Sequence, residues 1–173
     1  MSVVFALATP PAKSAICVFR VSGDGCFVGL SKLLKDSKYS IGEFHVKSFF
    51  DESGLIDRAG LVAFKGPKSY TGEDSFEVYA HGGLGVMSSF IKAFKSVGFE
   101  EAVGGEFTKR AFLNDKVSLF EAEAVVDLMD AVNSGDYLTE IELKKGDKRT
   151  VSELLLDVGI DVNNKEQMDC FKN

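Results

Sequence analysis

Two histidines, His45 and His81, are all this chain contains, so a three-histidine metal site cannot be assembled from it. His81 runs straight into Gly82-Gly83, where an alternating stretch gives way to a helical one. A glycine pair in that place serves either a tight turn with positive φ or a backbone cradle for an anion at a helix N-terminus. His45 falls inside a strand pattern and reads as structural. A second group, residues 106–116, sets Phe107, Ala111 and Phe112 at helical spacing with Lys109, Arg110 and Lys116 beside them. Such a cationic rim suits a carboxylate-bearing ligand, and equally a solvated helix face. P-loop nucleotide chemistry is excluded, because G-x-x-x-x-G-K-[ST], whose lysine reaches the terminal phosphates and whose hydroxyl holds magnesium, occurs nowhere. G-x-S-x-G and H-E-x-x-H are missing as well.

The elements that must carry these residues follow from periodicity. Residues 3–8 and 15–21 are short apolar runs rich in β-branched and aromatic residues, and read as buried strands separated by Thr9-Pro10-Pro11. Beyond the turn at 22–25, Phe27, Leu30, Leu33 and Leu34 form one helical stripe. Residues 44–50 and 61–64 predict strands around a turn at 51–54, and residues 75–79 predict another after the polar loop KGPKSYTGED at 65–74. Loops of that composition tend to carry function. Val86, Phe90, Ala93, Phe94 and Val97 line a helix closed by Gly98, and residues 119–129 form a second amphipathic helix. Past residue 133 a strand is expected within 136–145 and a short helix over 150–158, with Thr150 or Ser152 as N-cap and a polar tail after it. Lys144, Lys145, Lys148 and Arg149 make a small basic cluster, read as a solvated turn. The pattern defines an α+β fold, a mixed sheet with packed helices followed by the start of a helical segment.

At 173 residues the chain has about one domain's length, with 45% hydrophobic residues and 15 Phe to build a core. Cys17, Cys26 and Cys170 are odd in number and lack C-x-x-C spacing, which fits a reducing, cytoplasmic setting and not a zinc ribbon. The net charge of −6 disfavours free-standing nucleic-acid binding, although a docked partner could supply the charge. No apolar run approaches the roughly 18 residues of a membrane span, and Pro10, Pro11 and Lys13 interrupt the stretch where a signal peptide needs an unbroken core.

Six strings then occur in a telling order: LATPP at 7–11, FRVSG at 19–23, SYTGED at 69–74, HGG at 81–83, GEFTKRAFLNDK at 105–116 and EAEAVVDLMDA at 121–131. In this order they resemble the N-terminal domain of the MnmE (TrmE) family of tRNA-modification GTPases, over about residues 3–132. The resemblance implies a fold similar to the tetrahydrofolate-binding part of the glycine-cleavage T protein, a homodimer, and binding of 5-formyltetrahydrofolate. It also implies a flavoprotein partner of the MnmG (GidA) kind and, indirectly, tRNA, whose wobble uridine the family modifies at carbon 5. Matched motif by motif, the family's folate contacts fall on Arg20, Glu77 and Lys116. A carboxylate such as Glu77 accepts the adjacent N–H donors of a pterin edge, while Arg20 and Lys116 pair with carboxylates or polar ring atoms.

The chain departs from the family at Ala12-Lys13-Ser14-Ala15, where a glycine-rich stretch is usual, and at Gly104, where proline is usual. It lacks the GTPase motifs, so no GTP, magnesium or potassium is expected here, and Cys170-Phe171-Lys172-Asn173 does not match the family's Cys-x-Gly-Lys ending. The organisation expected is residues 1–117 as the folate-binding and dimerisation domain, 118–133 as the start of a helical domain, and 134–173 as a divergent tail. Two other readings remain open: an interaction module that keeps the dimer surface without folate binding or catalysis, and a free-standing one-carbon transferase, for which no acid, base or nucleophile is identifiable.

Overall fold

Alternation along two neighbouring strands sets the architecture. In β2 (Ile16–Ser22), Cys17, Phe19 and Val21 are buried on one face, and in β5 (Ser75–His81) Phe76, Val78 and Ala80 are buried on the same face. The computed structural model describes residues 1–134, 140–144 and 147–150. Six strands form one sheet in the order β3-β4-β5-β2-β1-β6, with β1 at Val4–Leu7, β3 at Phe44–Asp51, β4 at Gly54–Phe64 and β6 at Glu100–Glu101. Only β1 and β6 pair in parallel, which makes the sheet mixed.

Helices α1 (Cys26–Leu33) and α2 (Leu84–Ser96) supply Leu30, Leu33, Phe90 and Phe94 to the core formed with the buried strand residues. Phenylalanine replaces tryptophan as the bulk of that core: the Phe19 and Phe90 rings lie 5.5 Å apart, Phe90 and Phe94 5.7 Å, and Phe5 and Phe94 5.2 Å. The other face of the sheet presents Arg20, Ser22, Glu77 and Tyr79. Helix α3 (Glu106–Leu113) follows β6, and Met1–Lys116 makes one compact unit. The α+β reading and its elements as far as residue 116 are thus observed, with β4 far longer than residues 61–64. Gly60, which interrupts the pattern, sits under the Phe44 ring, where a side chain would collide, and pairs with Tyr79 across the ladder.

The second unit starts at Val117. Helix α4 (Leu119–Ser134) begins with a reciprocal capping box: the Glu121 N–H donates to Ser118 Oγ at 3.2 Å, and the Ser118 N–H donates to Glu121 Oε2 at 2.7 Å. Strands β7 (Glu140–Lys144) and β8 (Asp147–Thr150) form an antiparallel pair. Thr150, offered with Ser152 as the cap of a helix, is the last residue of β8, paired with Glu140, where β-branched threonine suits the ladder. Lys148 and Arg149 of the basic cluster likewise lie in β8 and not in a turn. The rest of the expected helix and the polar tail lie outside the described residues.

Candidate functional site

Register, which periodicity alone does not reveal, places Arg20 of β2 directly opposite Glu77 of β5 on the sheet face away from α1 and α2. Arg20 Nε donates to Glu77 Oε1 at 2.9 Å, and the Tyr79 hydroxyl, two residues along the same strand, donates to Glu77 Oε2 at 2.6 Å. Each carboxylate oxygen thus accepts one protein hydrogen bond and keeps a lone pair for a ligand donor. The bond to Glu77, helped by burial, pushes the Tyr79 phenol up to about 12, so it stays a donor at neutral pH.

Above this pair stands a cavity of about 360 Å³, whose lining includes Arg20, Glu77, Lys68, Tyr70, Thr71 and Phe107. The Arg20 guanidinium lies 5.6 Å from the Tyr70 ring centre and 5.9 Å from that of Phe107, within cation–π range of both. Tyr70 comes from the polar loop and Phe107 from α3, and their elements are tied by a hydrogen bond between the Tyr70 hydroxyl and Thr108 Oγ1 at 3.0 Å.

A buried polar network fixes the loop itself. Ser22 Oγ lies 2.6 Å from Thr71 Oγ1 and donates to Glu73 Oε2 at 2.7 Å, while Arg110 Nη1 donates to the same Glu73 oxygen at 3.1 Å. Arg110 also donates to Glu106 Oε1 and to the Ser2 carbonyl, and Asn114 donates to the Thr71 carbonyl. No buried side-chain nitrogen or oxygen among the described residues lacks a partner, so this network costs little to bury and holds one loop geometry. Gly72 takes φ +80°, the left-handed turn that brings the loop against Asn114 and Lys116.

The structure therefore brings Arg20 and Glu77 together and sets Lys116 apart from them. Lys116 is exposed, its ammonium donating to the Pro67 carbonyl at 2.9 Å, and it braces the loop without lining the cavity. Arg110, expected on a cationic rim, is buried instead, because its i, i+4 spacing from Glu106 and its pairing with Glu73 turn it inward. The Gly82-Gly83 pair has no positive φ. Gly82 is required by close approach, its N–H donating to the Ala15 carbonyl and its own carbonyl accepting from the Ser14 N–H, and a Cβ there would strike the Ser14 backbone. His81 Nδ1 sits 2.8 Å from Asp57 Oδ1, outside the cavity. Sequence reasoning missed Lys68, Tyr70 and Phe107. The signal available was their place in the breaker-rich loop and in the string that begins at Gly105.

An α+β domain whose open sheet face carries an arginine–glutamate pair beneath a cavity lined by Tyr70 and Phe107 has the concave, partly aromatic form common among small-molecule sites. Residues 3–116 match the family described as GTP-binding protein TrmE N-terminus, and the chain belongs to that family. Among curated relatives, the tRNA modification GTPase MnmE of Fervidobacterium nodosum is 36% identical over 168 residues, covering 94% of this chain and 37% of its own length. The protein of the same name from Thermotoga maritima is 34% identical over 98% of this chain and 40% of its own length. That from Maricaulis maris is 38% identical over 84% of this chain and 34% of its own. The chain spans about two fifths or less of the relatives it matches, and the longer alignments run on beyond residue 133.

Proposed function

We propose that the Met1–Lys116 unit binds a reduced folate, 5-formyltetrahydrofolate, in the cavity over Arg20 and Glu77. The observation that carries this reading is the Arg20–Glu77–Tyr79 arrangement, a carboxylate held by two neighbours with lone pairs still free to accept from an N–H-bearing heterocycle. The cavity is at the low end of the roughly 300–1,000 Å³ usual for small-molecule sites. It accommodates the pterin end between Tyr70 and Phe107, with the glutamate end leaving past Lys68. The folate would carry a one-carbon unit; the protein's part is to bind and orient it.

The chain then acts as the folate-binding part of a system that modifies carbon 5 of the wobble uridine in tRNA, as a homodimer in the cytoplasm, together with a flavoprotein of the MnmG kind. The relatives' tRNA-modification role supports this. Among the described residues no helix is long and apolar enough to cross a membrane.

Calorimetric titration of the purified chain with 5-formyltetrahydrofolate tests the reading: saturable binding that Glu77→Ala abolishes or weakens supports it. Absence of binding by a folded chain would favour the interaction module instead, a reading to which the Ala12–Ala15 departure points. Light scattering should return about twice the 18.8 kDa of one chain.

A further inference from the structure

A second cavity, sharing no residue with the first, opens at the β3 edge of the sheet. It holds about 380 Å³ and is lined by Lys35, Lys47 and Arg58 together with Asp36, Ser48, Phe50 and Val46. Three cations meet one carboxylate there, on a chain whose net charge is −6. Lys47 is largely buried, its side chain only 15% exposed, and among the described residues its acidic partner is Asp36 at 3.6 Å. Lys35 lies over the Phe50 ring at 5.7 Å, and among the described residues neither Lys35 nor Arg58 makes an ion pair. Cations gathered in this way repel one another and are relieved by an anion that enters between them.

We propose that this cavity binds the phosphate backbone of RNA. The inference rests on the tRNA-linked reading above for the choice of polyanion. The site itself rests on the three cations and the apolar surface beside them. Orthophosphate would engage the cations and leave the half-exposed Val46 beside them unused, whereas a nucleotide of an RNA strand meets both, its phosphate on the cations and its ribose on the apolar surface. The overall negative charge does not forbid this, because beyond about 8 Å at physiological ionic strength its field is largely screened, while contacts inside the cavity are not. The site supplies a local foothold and not a free-standing high-affinity surface.

The test is fluorescence anisotropy of a labelled tRNA anticodon stem-loop titrated with the whole chain at about 50 mM salt and at rising salt. The Lys35→Ala/Arg58→Ala double variant should bind about ten- to a hundredfold more weakly, and its slope of log affinity against log salt should be flatter by about two. Excess orthophosphate should compete only weakly. Lys35→Gln/Arg58→Gln serves as the second variant, and the thermal melting curve of both reports that the fold is intact. Wild type that does not bind the stem-loop at low salt overturns the proposal, as does equal binding by wild type and variants. Variants that aggregate while the soluble fraction binds RNA normally also overturn it, because the cations would then only guard the sheet edge. A chain that binds RNA as expected but never folate sinks the folate reading and leaves this site standing.

Discussion

Arg110 and Glu73 form an ion pair with 3% and 11% of their side chains exposed, Nη1 to Oε2 at 3.1 Å, and through it helix α3 holds the loop that roofs the cavity. Arg110→Ala would strand the Glu73 carboxylate in that interior. The expected loss is about 3–5 kcal/mol, the usual cost of removing one partner from a buried pair. A thermal melt should show a fall in Tm of roughly 10–20 °C. Replacing both partners, as in Glu73→Gln/Arg110→Met, should recover part of the loss, since no charge is left unpaired. An unchanged melting curve for Arg110→Ala would refute the role assigned to the pair.

Within the cavity the same measurements should come out the other way round. Arg20 is partly exposed, and charge-assisted bonds to a ligand contribute about 1.5–3 kcal/mol each, so Arg20→Ala or Glu77→Ala should weaken 5-formyltetrahydrofolate binding by about ten- to a hundredfold. Melting without ligand should barely move. Tyr79→Phe removes one donor that fixes Glu77 and should cost about two- to tenfold. Lys116→Ala should cost least, because its ammonium is exposed and spent on the Pro67 carbonyl. If Arg20→Ala and Glu77→Ala unfold the chain while the folded remainder binds folate normally, the pair is structural and the site assignment fails.

The contrast between these two pairs shows what the sequence made legible. Apolar alternation was enough to place Phe19 and Val78 in the core, because burial of large side chains dominates the energetics of a sheet face and has a fixed period. Arg20 and Glu77 were identifiable as residues through motif resemblance, but not as partners, since they are far apart in sequence and only the β2–β5 register joins them. Arg110, expected on the surface, is buried for the same reason. Charge alone assigns an arginine to the surface, and its inward turn depends on Glu73, which a distant loop delivers. Gly82 illustrates a third limit: its steric neighbour, Ser14, lies across the sheet, so composition suggested a turn conformation where close approach was the cause.

Nucleotide hydrolysis provides a separate check on the motif reading. Without a lysine and hydroxyl in P-loop register, this chain should neither bind nor hydrolyse GTP at about millimolar concentration. Turnover of the purified chain is compared with that of a heat-killed control; phosphate release clearly above it would show that another fold element binds nucleotide.

Asp57 and His81 give a pH-dependent prediction outside the cavity. Burial by itself would raise the Asp57 carboxyl, but bonds from the His81 N–H, the His81 ring and the Arg58 N–H outweigh it and hold the group below its ordinary value. A carboxyl depressed in the folded state binds fewer protons there than in the unfolded chain, so stability rises with pH across its titration. Its contribution is complete above the unfolded value of about 3.9 and is lost as pH falls from there through the lower folded value. Asp57→Asn, which cannot carry the charge, should therefore be less stable than wild type at pH 7 by about 1–3 kcal/mol. The gap measured by urea unfolding should close on acidification from about pH 5 to pH 3, with the wild type losing stability faster. His81→Ala should remove much of the same pH dependence, and adding Asp57→Asn to it should then cost less than Asp57→Asn alone. A gap that stays constant down to pH 3 would mean that the charge of Asp57 contributes nothing and that only the shape of the side chain matters.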